Sequence, residues 1–266
     1  MKVNVLGSGT SHGIPVVACF CPVCRSENPF DKRMRASIHI TGEAGESIVI
    51  DTGPEFRLQA VRAGIERLDA VLLTHAHADH LHGLDDVRPL CRSVPLPVYS
   101  SDEILEEVRD RFSYVFKETQ PGGGKPRLDL RKADPVIEIG SLRITSIPVK
   151  HGDLNILAWK IEEAGRPSLL YMTDTSAIPE SSKSLAGKPG ALIIGALRER
   201  PHETHFTFRQ AMETALELAA RRVWLTHICH EHSHNEIAGF CEDFIRERNL
   251  EGVGIAPAHD GLEIRL

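Results

Sequence analysis

The sequence predicts an α/β fold, with a sheet-rich core covered by a few helices in one unit spanning residues 1–266. Three observations carry this. Short runs rich in Val, Ile and Leu recur along the whole length, many stopping where polar residues cluster. Longer runs with helical spacing are fewer and lie between them. Neither a domain-separating linker nor an internal repeat interrupts the order.

The first strand, Lys2 to Leu6, leads into G-S-G-T-S-H-G (7–13). This loop is glycine-rich like a phosphate cradle, but it has no P-loop lysine and no clear helix after it. Strands follow at Ser37 to Thr41, Ser47 to Ile50, Ala70 to Leu73 and Leu96 to Tyr99. Ser100 with Glu103 then reads as a capping box opening a helix. Q-P-G-G-G-K-P (120–126) suits neither helix nor strand interior and reads as a loop. Leu142 to Val149, Ile156 to Glu162, Leu169 to Met172 and Ala191 to Ile194 give four more strands. Thr207 with Gln210 caps a helix expected from Phe208 to Arg222, where Phe208, Met212, Ala215 and Ala219 share one apolar face. Val223 to Leu225 is a strand, Ser233 with Glu236 caps another helix, and Leu262 to Arg265 closes the set.

Hydrophobic residues make up 41% and charged residues 26%, the balance of an ordinary globular protein. The net charge of -6 argues against broad binding to nucleic-acid backbone. The first residues enter strand-like alternation with no signal region, and no apolar run approaches membrane-spanning length. The expected location is the cytoplasm. Six cysteines there are thiols or metal ligands rather than disulfides, and Cys91 and Cys241, each alone in apolar context, read as inert buried thiols.

Leu73 to Gly83 reads L-T-H-A-H-A-D-H-L-H-G directly after an apolar run. Imidazole and carboxylate together suit Zn, Mn or Fe, and ligands grouped where a strand becomes a loop converge on a small volume. His75 and His77, two apart, project to one side of an extended backbone, whereas Asp79 and His80 follow a turn and can serve a neighbouring ion.

On this motif the sequence resembles the metallo-β-lactamase superfamily. The likeness continues at Asp51 in I-D-T-G, His151 in V-K-H-G, Asp174 in M-T-D-T and His227 in L-T-H. The resemblance implies an αββα four-layer sandwich with two active-site divalent ions, Mn or Zn, at one edge. By it His75, His77 and His151 bind one ion, Asp79, His80 and His227 the other, and Asp174 bridges both. Asp51 braces the histidine loop. His12, in the first-strand loop, would border the centre.

Cys19, Cys21 and Cys24 form C-x-C-x2-C. A closed structural zinc site takes four ligands, and spacing leaves Cys229, His230, His232, His234 and His12 open as the fourth. A redox role for Cys21 and Cys24 is disfavoured, because the C-x-x-C does not open a helix in a βαβ pattern. Here the sequence is similar to the PhnP-like branch of the superfamily, which implies that His230 completes a structural Zn site and staples the cysteine loop to the segment presenting His227.

That similarity also implies that His205, in T-H-F-T-F, is a non-ligand general acid or transition-state hydrogen-bond donor. Asp79 counts with it as a catalytic residue as well as a ligand. The expected activity is a phosphodiesterase acting on small cyclic or nucleotide-like phosphodiesters, with ribosyl 1,2-cyclic phosphate a candidate. Two cations would activate the attacking water. The runner-up is a transfer-RNA 3'-end processing nuclease of the same superfamily, and a third class is a non-catalytic, metal-stabilised binding protein. Expected partners are a small phosphodiester and a second copy of the chain as a homodimer, with neither nucleic acid nor membrane.

Overall fold

A computed structural model of the chain describes residues 1–118 and 124–266. The first half builds one sheet and its cover. Its elements are β1 (Lys2–Gly7), the short α1 (Pro22–Arg25), β2 (Ser37–Thr41), β3 (Ser47–Ile50), α2 (Phe56–Ala63), β4 (Ala70–Leu72), α3 (Ala78–Leu81), β5 (Leu96–Ser100), α4 (Asp102–Arg111), α5 (Ser113–Phe116) and β6 (Leu128–Lys132). The second half supplies β7 (Val136–Ile139), β8 (Leu142–His151), β9 (Leu154–Glu163), β10 (Leu169–Met172), α6 (Glu180–Ala186), β11 (Ala191–Gly195), α7 (Phe208–Glu217), β12 (Arg222–Thr226), α8 (His234–Glu247) and β13 (Gly254–Pro257). A final strand, β14 (Glu263–Arg265), returns to pair with β1.

Two seven-stranded sheets result, ordered β14-β1-β2-β3-β4-β5-β6 and β13-β12-β11-β10-β9-β8-β7. Both are mixed. The run from β3 to β6 and the run from β10 to β13 are parallel, while the remaining pairs are antiparallel. Three buried apolar clusters separate four layers. Val3, Ile38 and Ile50 meet Trp159, Ile161 and Ile193 between the sheets. Phe56, Leu84 and Val108 cover the first sheet, and Phe208, Met212, Ile237 and Phe244 cover the second. This is the expected αββα sandwich, each sheet buried on both faces as parallel strands require.

The capping boxes Thr207/Gln210 and Ser233/Glu236 form as expected. The third differs. Ser100 ends β5 and donates its hydroxyl to the Leu73 carbonyl, so Ser101 caps α4 instead, accepting from the Ile104 N–H. The helix expected to reach Arg222 stops at Glu217, because Ala219 turns left-handed (φ 54) and releases Arg222 into β12. Three strands escaped the sequence: β6, β7 and β13. Of the loop expected at 120–126, residues 120–123 lie outside the described residues, and 124–126 carry no helix or strand. Cys91 and Cys241 are buried thiols. Among the described residues no helix is long and apolar enough to cross a membrane.

Candidate metal centre

Every candidate ligand of the histidine–aspartate cluster sits where a strand of the two sheets ends. His75 and His77 follow β4, and His77, still extended (φ -63, ψ 152), caps α3, which places Asp79 and His80 in that helix's first turn. His151 is the last residue of β8, Asp174 lies two beyond β10, and His227 directly follows β12. Three of the chain reversals are made by functional side chains rather than glycine: Asp51 (φ 63), Asp174 (φ 52) and His227 (φ 57) are all left-handed. That conformation costs a residue with a Cβ about 1–2 kcal/mol. Non-glycine residues persist there where the side chain itself is required.

The cluster is fixed from outside. Asp51 accepts from the Thr74 N–H and hydroxyl at 2.8 Å each, and His80 Nδ1 donates to the same carboxylate at 2.7 Å. His75 Nδ1 lies 2.9 Å from the Thr74 hydroxyl, and His151 Nδ1 donates to the Thr204 carbonyl at 2.8 Å. These contacts leave the Nε2 atoms of His75, His80 and His151 facing the centre, the usual way a ligand imidazole is oriented from its far nitrogen. Thr52 N–H donates to the His80 carbonyl at 2.7 Å. Gly53 makes this approach possible, since a Cβ there would strike the Asp79 carbonyl.

Donor atoms of His75, His77 and His151 lie within 4.8 Å of one another, as do those of Asp79, His80, Asp174 and His227. Asp174 lies between the two groups, its Oδ2 3.8 Å from His75 Nε2 and 3.2 Å from His227 Nε2, and its Oδ1 3.3 Å from His80 Nε2. Against the desolvation of burial, His227 and His80 hold the Asp174 carboxyl well below its usual range, and His80 does the same for Asp79. Burial, with neighbouring His80, drives His75 down and keeps it neutral. His75 Nε2, His80 Nε2 and His227 Nδ1 are buried with no hydrogen-bond partner. Imidazoles grouped around anionic carboxylates, with ring nitrogens unsatisfied, make a donor set that suits a pair of divalent cations.

His205 lies against this cluster. Its ring stacks on His227 at 5.0 Å and an interplanar angle of 16°, its Nδ1 is 3.9 Å from Asp174 Oδ2, and it forms a further donor group with His151 and Asp174. Burial, then the neighbouring His227, lowers its pKa to about 3, so it is neutral near pH 7. His202 lies 5.1 Å from it, and its Nδ1 accepts from the Thr204 N–H. His12 is exposed on the first-strand loop. Three threonines that support the site were not singled out in the sequence: Thr74, Thr204 and Thr173, whose hydroxyl donates to Asp174 at 2.6 Å. The only signal was their position beside candidate site residues in T-H, E-T-H and M-T-D.

The cysteines form a second centre. Sγ of Cys19, Cys21 and Cys24 lie 3.3, 3.4 and 3.5 Å from His230 Nδ1, and all four donors lie within 4.8 Å of one another. Cys229 is elsewhere, a buried thiol whose N–H donates to the Leu197 carbonyl. Cys21 caps α1. Against desolvation, the Cys24 N–H and His230 lower its thiol pKa to about 6, while burial pushes Cys24 up to about 11. Three sulfurs and an imidazole around one point suit a closed structural metal site.

The sequence model of the beta-lactamase superfamily domain matches residues 46–228. An octanoyltransferase of Porphyromonas gingivalis (strain ATCC BAA-308 / W83) is 41% identical over 233 residues, 86% of this chain and 46% of that protein, so the chain spans about half of that relative's length. A solved structure described as a new diphosphatase from the PhnP family superposes with a TM-score of 0.85 at 35% identity, covering 99% of this chain and 96% of that one. The short form of human tRNase Z superposes at 0.68 with 16% identity, covering 100% and 99%, a likeness of fold. A family match over more than half the chain, and a PhnP-family relative matched along nearly all of both chains, establish that this chain belongs to the metallo-β-lactamase superfamily of metal-dependent hydrolases and, within it, to the PhnP family.

Proposed function

We propose that the chain is a metal-dependent phosphodiesterase acting on small cyclic or nucleotide-like phosphodiesters, ribosyl 1,2-cyclic phosphate among the candidates. The observation that carries this reading is the placement of His205, a proton-bearing side chain held against the donor cluster between His151 and His227. An alkoxide leaving from phosphorus needs a proton or a strong hydrogen bond as it departs.

His75, His77 and His151 would hold one ion, Asp79, His80 and His227 a second, and Asp174 both. When bound, a pair of divalent cations, Zn or Mn, supplies charge neutralisation at the phosphoryl oxygens and acidifies water enough for attack near neutral pH. The remaining work falls to the chain. Asp51 and the Thr204 carbonyl hold the Nδ1 sides of His80 and His151 and so turn their Nε2 atoms to the centre. Asp79 would present its Oδ2 beside His80 and His227, from which it lies 3.2 and 3.4 Å, and complete the donor set on that flank. His205, neutral near pH 7, would donate a hydrogen bond from its ring N–H to the departing oxygen. Cys19, Cys21, Cys24 and His230 would hold one structural Zn and tie the cysteine loop to the segment carrying His227.

Cleavage of a diphosphate linkage is a second reading, favoured by the likeness to a PhnP-family diphosphatase. Both substrate classes present a phosphorus with two ester or anhydride substituents. The transfer-RNA nuclease reading has the net charge of -6 against it.

The test is one assay series on metal-loaded protein with 2',3'-cyclic nucleotides, linear diesters, a dinucleoside diphosphate and a transfer-RNA precursor. The expected result is opening of the ring to a monoester that is not cleaved further, abolished by EDTA. Efficient precursor maturation without ring opening would replace this reading with the nuclease, and no turnover by fully loaded protein would leave a binding protein.

A further inference from the structure

The cysteine loop leaves the fold and returns to it at one point. Ile14 and Arg33 exchange both backbone hydrogen bonds, at 2.8 and 3.0 Å, so residues 15–32 form a closed loop whose base needs no ion. Close to that base, Asp31 is buried and accepts two hydrogen bonds. Its Oδ1 takes the His234 N–H at 2.6 Å, and its Oδ2 takes the Ser26 hydroxyl at 2.6 Å. His234 opens α8, so the carboxylate satisfies one of the N–H groups that a helix start leaves free, at the end that favours negative charge. Arg33, fully buried, supplies the countercharge: its Nη2 is 3.7 Å from the same Oδ1, and none of its three side-chain nitrogens has a hydrogen-bond partner among the described residues. Phe30 adds packing, its ring stacked on His259 at 4.1 Å and 5.1 Å from that of His234. Ser26 lies two residues past Cys24, and His234 four past His230. The contact therefore repeats, slightly downstream on both sides, the junction that the cysteine site makes.

We infer that Asp31 is a positioning residue for His227, a second staple that holds the segment 227–234 in place without a metal ion, taking His227 as the ligand that the reading above makes it. The near end of that segment is fixed by the first-strand loop, where Ile228 N–H donates to the Ser8 carbonyl and Thr10 N–H to the Ile228 carbonyl. Further along, the cysteine site at His230 and Asp31 at His234 both tie it to the cysteine loop. His227 needs such support, because its left-handed backbone (φ 57) persists only where the surroundings over-determine it. With two ties present, either one keeps the imidazole aimed at the centre. Removing Asp31 by itself would leave the Arg33 charge buried and uncompensated, so the two residues have to be replaced together.

The test is a chelator competition for Mn at the histidine–aspartate centre, read without substrate. Asp31→Leu/Arg33→Met puts apolar residues in place of the buried pair and removes the acceptor for the His234 N–H, whereas Asp31→Asn/Arg33→Met keeps an acceptor there. Each pair, and Cys21→Ser alone, should bind Mn as the wild type does. Combined with Cys21→Ser, Asp31→Leu/Arg33→Met should weaken one of the two ions by about 10–100-fold, the scale on which lost support of a ligand acts, and Asp31→Asn/Arg33→Met should keep most of that affinity. Equal affinity in the two combined variants, even with a lower melting temperature, would reduce Asp31 to a packing residue and overturn the staple, as would the full loss appearing without Cys21→Ser. Hydrogen exchange on the zinc-loaded Asp31→Leu/Arg33→Met chain gives a second reading that does not depend on the triple variants folding. Amides of residues 231–236 should exchange faster while those of α7 do not, and unchanged protection would overturn the staple too. Wild-type protein that takes up no ion at the centre would sink the reading above as well, whereas a failed staple in a protein that binds two ions leaves that reading standing.

Discussion

His205 and Asp51 both adjoin the centre, yet substitution should separate them. His205 packs against His151, His227 and Asp174, so under the proposed reaction His205→Ala should retain the full metal content and slow hydrolysis of an alkyl diester by about 10²–10⁴-fold. The loss should shrink with a nitrophenolate leaving group, and an equal loss with both would reassign His205 to phosphate positioning. Asp51 reaches the centre only through His80 and Thr74. Asp51→Asn should therefore act on the ions, weakening affinity for one of them by about 10–100-fold in a chelator competition. Away from the site, His39 donates to or accepts from Ser47 at 2.8 Å, and burial, with nearby Lys2, lowers its pKa from 6.5 to about 4. The unfolded chain takes up this proton first as pH falls, so stability from His39 is complete above pH 6.5 and is lost progressively between about 6.5 and 4. Denaturant titrations should show a shallower decline over that window in His39→Gln, and an unchanged slope would show that His39 is not depressed.

At the scale of elements, the candidate ligands sit at strand ends, and the cysteine loop meets His230, three residues beyond His227. Cys21→Ser should remove one tightly held zinc per chain and lower the melting temperature before it alters turnover per active-site metal, because metal binding at a structural site contributes folding free energy. Protein purified without chelator and lacking zinc would defeat that assignment. The sequence located the strand-end motifs because an apolar run followed at once by H-x-H-x-D-H, D-T-G or T-H is visible without any partner. It failed where partners decide. Leu128–Lys132 is an edge strand with no fully buried residue, so its alternation is faint, and Gly254–Pro257 forms a strand between two poor strand formers because β12 pairs with it. The overrun of α7 has the same origin: Ala219 ends the helix in a conformation that normally announces itself as glycine. The support from the Thr204 carbonyl to His151 joins residues 53 apart, which no local pattern reveals.

Over the whole molecule, the two sheets contribute unequally numbered but interlocking halves of one centre: His75, His77, Asp79 and His80 come from the first, and His151, Asp174 and His227 from the second. At this edge the sheets are joined by backbone bonds that include Leu157 N–H to the Thr74 carbonyl, Thr10 N–H to the Ile228 carbonyl and Ile228 N–H to the Ser8 carbonyl. Ions bound there should bridge the halves and stabilise the fold as a unit. At a free concentration of 100 times the dissociation constant, one ion adds about 2.7 kcal/mol. Scanning calorimetry should show a single transition that moves up with added Mn or Zn and down with chelator, and two separating transitions would contradict a shared clamp. The left-handed backbone at Asp51, Asp174 and His227 has a consequence for descent. Glycine would ease the backbone at each of those corners by about 1–2 kcal/mol, a standing invitation to drift. At position 51, however, glycine would strand the buried Thr74 N–H and hydroxyl and His80 Nδ1 that Asp51 now accepts from, so the packing around that corner resists the drift that its backbone invites.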